Sequence, residues 1–174
     1  MNLRIRMLNE SDTAGFLRLK QVGLTTDPLS FVADLDEDPA DYAERVRDRL
    51  SRASIESGDV VVGAFAPALV GIVAVTRASQ SKRRHKADLH GMYVEPAFRG
   101  QGIGRALLQE VLRLASVMAR LEEIHLAVAT HNREAVALYE RFGFEHVWTE
   151  DRALKVAANY VDAHHMRLDI PGGE

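Results

Sequence analysis

Apolar residues recur along this chain with two different periods, and each change of period predicts an element. Leu3, Ile5 and Met7 alternate with Arg4 and Arg6, the two-residue period of a strand. Ser11 or Asp12 can then cap a helix running through about Val22. The stretch TTDPLSFVADLDEDPADY is acidic and turn-rich until Asp38 and Pro39, which read as the N-cap and first residue of a second helix reaching roughly Ser54. VVVGAF and LVGIVAVT are β-branched runs separated by APA and predict a hairpin, followed by a basic loop, RASQSKRRHK.

The second half is patterned more sharply. ADLHGMYV predicts a strand, and Gly100 to about Arg120 a helix with Ile103, Leu107, Val111, Leu114 and Met118 along its apolar stripe. IHLAVAT predicts another strand, completing a βαβ unit. A right-handed crossover then sets Leu89–Val94 parallel to Ile124–Thr130 in one sheet. Asn132 caps a short helix, NREAVALYERFGF, which Gly143 ends as a left-handed residue with Phe144 folding back. YVDAHHMRLDI reads as a last strand.

Composition narrows the class. With 174 residues and 47% hydrophobic content the chain can bury one sizeable core, so a single domain is expected. A formal net charge of −3 argues against a nucleic-acid-coating protein. The absence of cysteine removes disulfides, thiolate metal sites and an acyl-cysteine intermediate from consideration. The amino terminus lacks a signal-peptide core and no apolar run reaches membrane-spanning length, so a cytoplasmic protein without a membrane partner is expected.

The most distinctive chemistry lies in FRGQGIGRALL. Gly100, Gly102 and Gly104 leave backbone N–H groups unshielded where a helix begins, and the orphan donors and positive dipole end there favour an anion such as a pyrophosphate. The dinucleotide fingerprint fails, because Arg105 and Leu107 stand where it needs glycine, and the triphosphate-loop ending Gly-Lys-Ser/Thr is absent.

Arg99-Gly-Gln-Gly-Ile-Gly104, preceded by MYVEPAF and followed by NREAVALYERFGF, resembles the GNAT superfamily of acyl-CoA-dependent N-acyltransferases over roughly Val60 to Leu168. The resemblance implies a single α/β (α+β) domain: a mixed, mostly antiparallel sheet with one splayed parallel pair, flanked by about four helices. Residues 1–58 would form the acceptor side and 59–170 the acyl-CoA-binding core. It further implies that Met92 and Val94, with Tyr93 between them, offer main-chain groups to the pantetheine amides. Arg99, Gly100, Gln101, Gly102, Ile103, Gly104 and Arg105 would cradle the phosphates, and Asn132, Ala135 and Tyr139 would line the thioester side. Acetyl-CoA and an amine are the implied partners, with no metal and no nucleic acid; a homodimer is compatible.

The implied reaction has an amine attack a thioester and a thiolate depart. An alkyl amine titrates near ~10.4 and a thiol near ~8.5, so a base must take one proton and an acid return one. Without cysteine or a serine in a nucleophile elbow, direct transfer in a ternary complex is favoured over an acyl-enzyme. The resemblance makes Tyr139 the acid. Strand alternation puts Asp88, His90, Met92 and Val94 on one face if no bulge intervenes, and Asp88, His90 or a water relay can serve as the base. Otherwise Asp88 answers the basic loop SKRRHK and His90 is a core histidine. The acidic residues Asp34, Asp36 and Glu37 form either a solvated loop or a lip that attracts cationic amines. A module that binds acyl-CoA without turnover is the alternative function.

Overall fold

A computed structural model describes residues 2–28 and 39–171. In chain order its elements are β1 (Arg4–Met7), α1 (Thr13–Thr26), α2 (Pro39–Arg52), β2 (Asp59–Phe65), β3 (Leu69–Arg77), β4 (Lys86–Val94), α3 (Ile103–Ser116), β5 (Glu123–Ala129), α4 (Arg133–Arg141), β6 (Glu145–Val156) and β7 (Asn159–Asp169). Asp38, Asp34, Asp36 and Glu37 lie outside the described residues. Asp12, one of the two expected caps, stands at the N-cap position of α1 without a side-chain cap bond, and the turn that leads into it begins at Asn9. Asn9 accepts from Ser11 N–H at 3.0 Å while Asp12 reaches back to Asn9 N–H at 2.9 Å, a reciprocal cap on a 3-10 turn that leads into α1.

The seven strands form one sheet in the order β1-β2-β3-β4-β5-β7-β6. Every neighbouring pair is antiparallel except β4 and β5, the two ends of the crossover that the period change predicts. Alternation sorts the core into two layers. Val60, Val62, Val73, Val75, Ala87 and Leu89 turn to the stripe of α3, and Tyr139 of α4 joins that cluster. Val61, Ile72 and Ala74 turn to the other face, against Phe16 and Leu19 of α1 and Val46 and Leu50 of α2. Among the described residues no helix is long and apolar enough to cross a membrane.

Two features depart from simple periodicity. β4 and β5 pair only at Lys86–Glu123, Ala87–Ile124 and Asp88–His125; beyond Asp88 they diverge, although both remain zipped to their outer neighbours, β3 and β7. The two strands are parallel neighbours in one sheet as expected, and from Leu89 onward they open into the splay that the resemblance implies. Within β4, Ile72 opposes Tyr93 while Ala74 opposes His90, so two residues, Gly91 and Met92, face the single Val73. Gly91 takes φ +64, the left-handed conformation such a bulge needs. The bulge reverses the alternation. Asp88, His90 and Tyr93 share the α1–α2 face, whereas Met92 and Val94 turn to the α3 side, so these four candidates do not share one face.

The sheet also extends further than the apolar pattern indicates. β6 is almost wholly exposed and is broken by register shifts at His146–Trp148 and Glu150–Leu154. An edge strand bonded on one side and wet on both faces has no hydrophobic alternation to show.

Candidate active site

The stripe of α3 dictates where that helix starts. Ile103, Leu107, Val111 and Leu114 are buried against the sheet, which brings the glycine turn to the open end of the β4–β5 gap. Gly100 (φ +73) and Gly102 (φ +79) adopt left-handed backbone, and Gly102 is the N-cap but supplies no side chain to cap with. The first helical hydrogen bond is Ala106 N–H to Gly102 O at 3.0 Å. The N–H groups of Ile103, Gly104 and Arg105 thus point out of the helix with no acceptor among the described residues. A Cβ at Gly100 or Gly102 would meet nothing within 4 Å, so the space in front of the turn is open. At Gly104 a Cβ would press Met92 Cε at 3.3 Å, so that glycine lets α3 approach the end of β4.

From this turn a groove of about 1250 Å³ runs between the end of β4 and α4. Met92, Tyr93, Val94, Arg99, Gly100, Gly102, Ile103, Gly104, Arg105, Asn132 and Ala135 line it, which brings most of the candidate cofactor residues together. Gln101 does not; its amide donates to Ala97 O at 3.3 Å and braces the turn from behind. The groove also contains Arg133 and Arg141, two turns apart on α4 and unnoticed in the sequence. Their eight-residue spacing after the Asn132 cap was the available signal. Asn132 Oδ1 accepts from Ala135 N–H at 3.2 Å, fixing the start of α4 as expected.

Arg99 is held by three contacts. Its Nε donates to Val94 O at 2.9 Å, its Nη2 pairs with Asp27 at the end of α1, and its guanidinium lies 5.6 Å from the Tyr93 ring centre. Tyr93 in turn shares a 2.8 Å hydrogen bond with Thr26. The glycine turn and the end of α1 are thereby tied together.

Tyr139 is not part of the groove lining. Its ring is 6% exposed and packs edge-on to Phe144, with centroids 5.8 Å apart. Burial pushes its phenol up to about 12. The hydroxyl has no hydrogen-bond partner among the described residues, yet none of their buried polar side-chain atoms is both sealed and unpaired, so it keeps contact with open space.

On the α1–α2 face, His90 and Asp88 project from β4. Asp88 is exposed and makes no ion pair among the described residues; the nearest lysine in sequence, Lys86, pairs with Glu123 at 3.1 Å instead. His90 Nε2 lies 2.9 Å from Thr76 Oγ1, which lies 3.0 Å from Asp59 Oδ1. Arg49 forks onto Asp59 at 2.9 and 2.7 Å and reaches Thr76 at 3.1 Å. Burial would raise the Asp59 carboxyl, but the Arg49 fork and charge, with the Thr76 hydroxyl, outweigh it and hold the group below the usual carboxylate range. His90 is exposed at the surface and is not a core histidine; even so, the protein packed around one side of the ring, then the charge of Arg49, lowers its pKa against the pull of Asp59 and Asp88. Burial brings Lys20 of α1, on the same side, down to about 8. None of Arg49, Asp59, Thr76 and Lys20 belongs to a recognisable motif.

Seven strands in this order, one diverging parallel pair and a bare helix N-terminus at the head of the gap define a GNAT-fold protein. The sequence matches the Acetyltransferase (GNAT) family over residues 24–144, and the chain belongs to that family. An acetyltransferase of the GNAT family from Streptococcus pneumoniae superposes with a TM-score of 0.86 at 25% identity, covering 97% of this chain and 100% of that one. The N-alpha-acetyltransferase RimI of Mycobacterium tuberculosis is 37% identical over 101 residues, 58% of this chain and 60% of that protein. The L-amino acid N-acetyltransferase AaaT of Escherichia coli is 29% identical over 98 residues, 56% of this chain and 60% of that protein. A Mycobacterium leprae protein, 38% identical over 119 residues, is covered for 31% of its length. The chain therefore spans between about three-tenths and three-fifths of the length of the curated relatives it matches.

Proposed function

We propose that the protein moves an acetyl group from acetyl-CoA to a primary amine of a small molecule, amino acid or protein by direct transfer in a ternary complex. The uncapped turn carries this reading: three unpaired N–H groups face open space at the head of a groove with four arginines, Arg99, Arg105, Arg133 and Arg141. That donor set suits a diphosphate. The gap behind it leaves the β5 side of Leu89–Val94 without a strand partner, which suits an extended amide-bearing arm.

Acetyl-CoA supplies the acyl group already activated as a thioester. In this reading the chain positions it: Ile103, Gly104 and Arg105 donate N–H groups to phosphate, and the main-chain N–H of Met92, a residue of the groove, would serve as donor to the carbonyl oxygen. The base that takes the amine proton stands on the α1–α2 face of β4, where Asp88 and His90 project. Tyr139 keeps its proton at Oη. Burial strengthens its hold on that proton, so it acts toward the departing sulfur as a donor and never as a base. Tyr139 therefore stabilises the departing sulfur by hydrogen bonding.

Mixing the protein with acetyl-CoA and an amine panel, and following free thiol, tests the reading. L-amino acids and other compounds with an α-amino group head the panel because the two named relatives are an N-alpha-acetyltransferase and an L-amino acid N-acetyltransferase. Thiol release that requires one class of amine is expected. Thermal stabilisation by acetyl-CoA without thiol release on any amine would make the protein an acyl-CoA-binding module instead.

A further inference from the structure

We infer that Arg49, Asp59 and Thr76 hold the His90 imidazole in its Nε2–H tautomer, so that Nδ1 is the atom that accepts the proton of the attacking amine. The inference rests on the acyl-transfer reading above and adds three positioning residues to it.

A proton count on four side chains drives the argument. Asp59 is an ionised carboxylate and accepts only, and the Arg49 guanidinium donates only. Thr76 has one hydroxyl proton and three neighbours: Asp59 Oδ1 at 3.0 Å, Arg49 Nη2 at 3.1 Å and His90 Nε2 at 2.9 Å. If that proton turned to His90, two oxygens would face each other at 3.0 Å with no hydrogen between them. The hydroxyl therefore donates to Asp59, and its lone pairs receive Arg49 Nη2–H and His90 Nε2–H. Every donor and acceptor in the chain is then satisfied with one arrangement of protons.

Nδ1 consequently carries the free lone pair. It has no partner among the described residues, and it is not sealed, because none of their buried polar side-chain atoms is left unpaired. The charged groups facing the ring come from every element around it: Arg49 of α2, Lys20 of α1, Asp59 of β2 and Asp88 of β4. Crowding and the two cations outweigh the two carboxylates, keeping the ring neutral and able to accept a proton at pH 7. Thr76 and Asp59 never meet the amine in this scheme; they fix which nitrogen of His90 is basic, as an orienting acid does for a catalytic histidine.

Nitrogen-15 NMR of the imidazoles tests this directly on the full chain at pH 8, with the His90 signals assigned by their loss in His90→Gln. The wild type is expected to show a protonated Nε2 and a bare Nδ1, Thr76→Ser to retain that pattern, and Thr76→Val to lose it. A protonated Nδ1 in the wild type, or an unchanged pattern in Thr76→Val, overturns the inference. Turnover on the amine that the panel identifies is the second readout. Thr76→Val is expected to lower kcat at least about tenfold with acetyl-CoA KM unchanged, and Thr76→Ser to stay within about threefold; equal kcat in all three proteins overturns the catalytic role. A wild type that acetylates no amine defeats the acyl-transfer reading, while the tautomer measurement still judges the network by itself.

Discussion

Replacing Gly102 with asparagine separates the cost of filling the phosphate turn from the cost of straining it. Asparagine tolerates the left-handed backbone better than other side chains, and at φ +79 a Cβ meets no atom within 4 Å. The ligand-free protein should therefore lose no more than about 1 kcal/mol, a fall in Tm of about 2–4 °C for a chain of this size. Binding should suffer far more. The new side chain occupies the space in front of Ile103, Gly104 and Arg105 N–H, and each charge-assisted bond to phosphate is worth about 1.5–3 kcal/mol. Losing two of them weakens acetyl-CoA by about 10²–10⁴-fold. At a concentration of about one hundred times the wild-type Kd, stabilisation is about 2.7 kcal/mol for the wild type, or about 5–11 °C. With Kd raised at least a hundredfold it is at most about 0.4 kcal/mol, or about 1–2 °C. Differential scanning fluorimetry with and without acetyl-CoA reads both numbers in one titration. A variant that keeps more than half of the wild-type ligand shift refutes the assignment of this turn to phosphate.

Tyr139→Phe keeps the edge contact with Phe144 and removes only the hydroxyl, so kcat should fall by about 10²–10³-fold while Tm and acetyl-CoA affinity hold; turnover within about threefold of wild type in a thiol-release assay removes Tyr139 from the chemistry. The His90 pKa is lowered, so the acid limb of kcat/KM should lie below the ordinary histidine value of about 6.5 and vanish in His90→Gln; a limb above 6.5 contradicts the charge balance around the ring. Asp59 also has a lowered pKa, so its contribution to stability is complete above the ordinary carboxyl range near ~4 and is lost as pH falls through its folded value; denaturant melts of Asp59→Asn against wild type should converge at low pH. Leu107 is fully buried between α3 and the sheet, and Leu107→Ala should cost about 2–5 kcal/mol by urea unfolding, where less than about 1 would mean that α3 is not part of the core.

Where burial is one-sided, the sequence is explicit. The stripe from Ile103 to Met118 and the alternation of β1 write their own geometry, and the glycine turn marks its own position because Gly100 and Gly102 are there for backbone conformation. Three things were hidden, each for its own reason. β6 has no apolar face to alternate. The bulge at Gly91 is one residue of irregularity within a run that reads as regular, so simple alternation cannot separate Met92 and Val94 from Asp88 and His90. Arg49, Asp59, Thr76 and His90 come from α2, β2, β3 and β4, and only the sheet order brings them within hydrogen-bonding distance. Asp59 in particular reads as the polar lead-in to a strand.

The pairing of Arg99 with Asp27 orients a charge without using it up. The arginine Nε donates to Val94 O and its Nη2 pairs with Asp27, while the Nη1 N–H groups have no partner among the described residues. The carboxylate at the end of α1 therefore holds the plane of the guanidinium steady beside the glycine turn before any anion arrives. What α1 lends the turn is rigidity: a cation whose direction is fixed in advance loses less rotational freedom when it binds than one swinging on a free side chain.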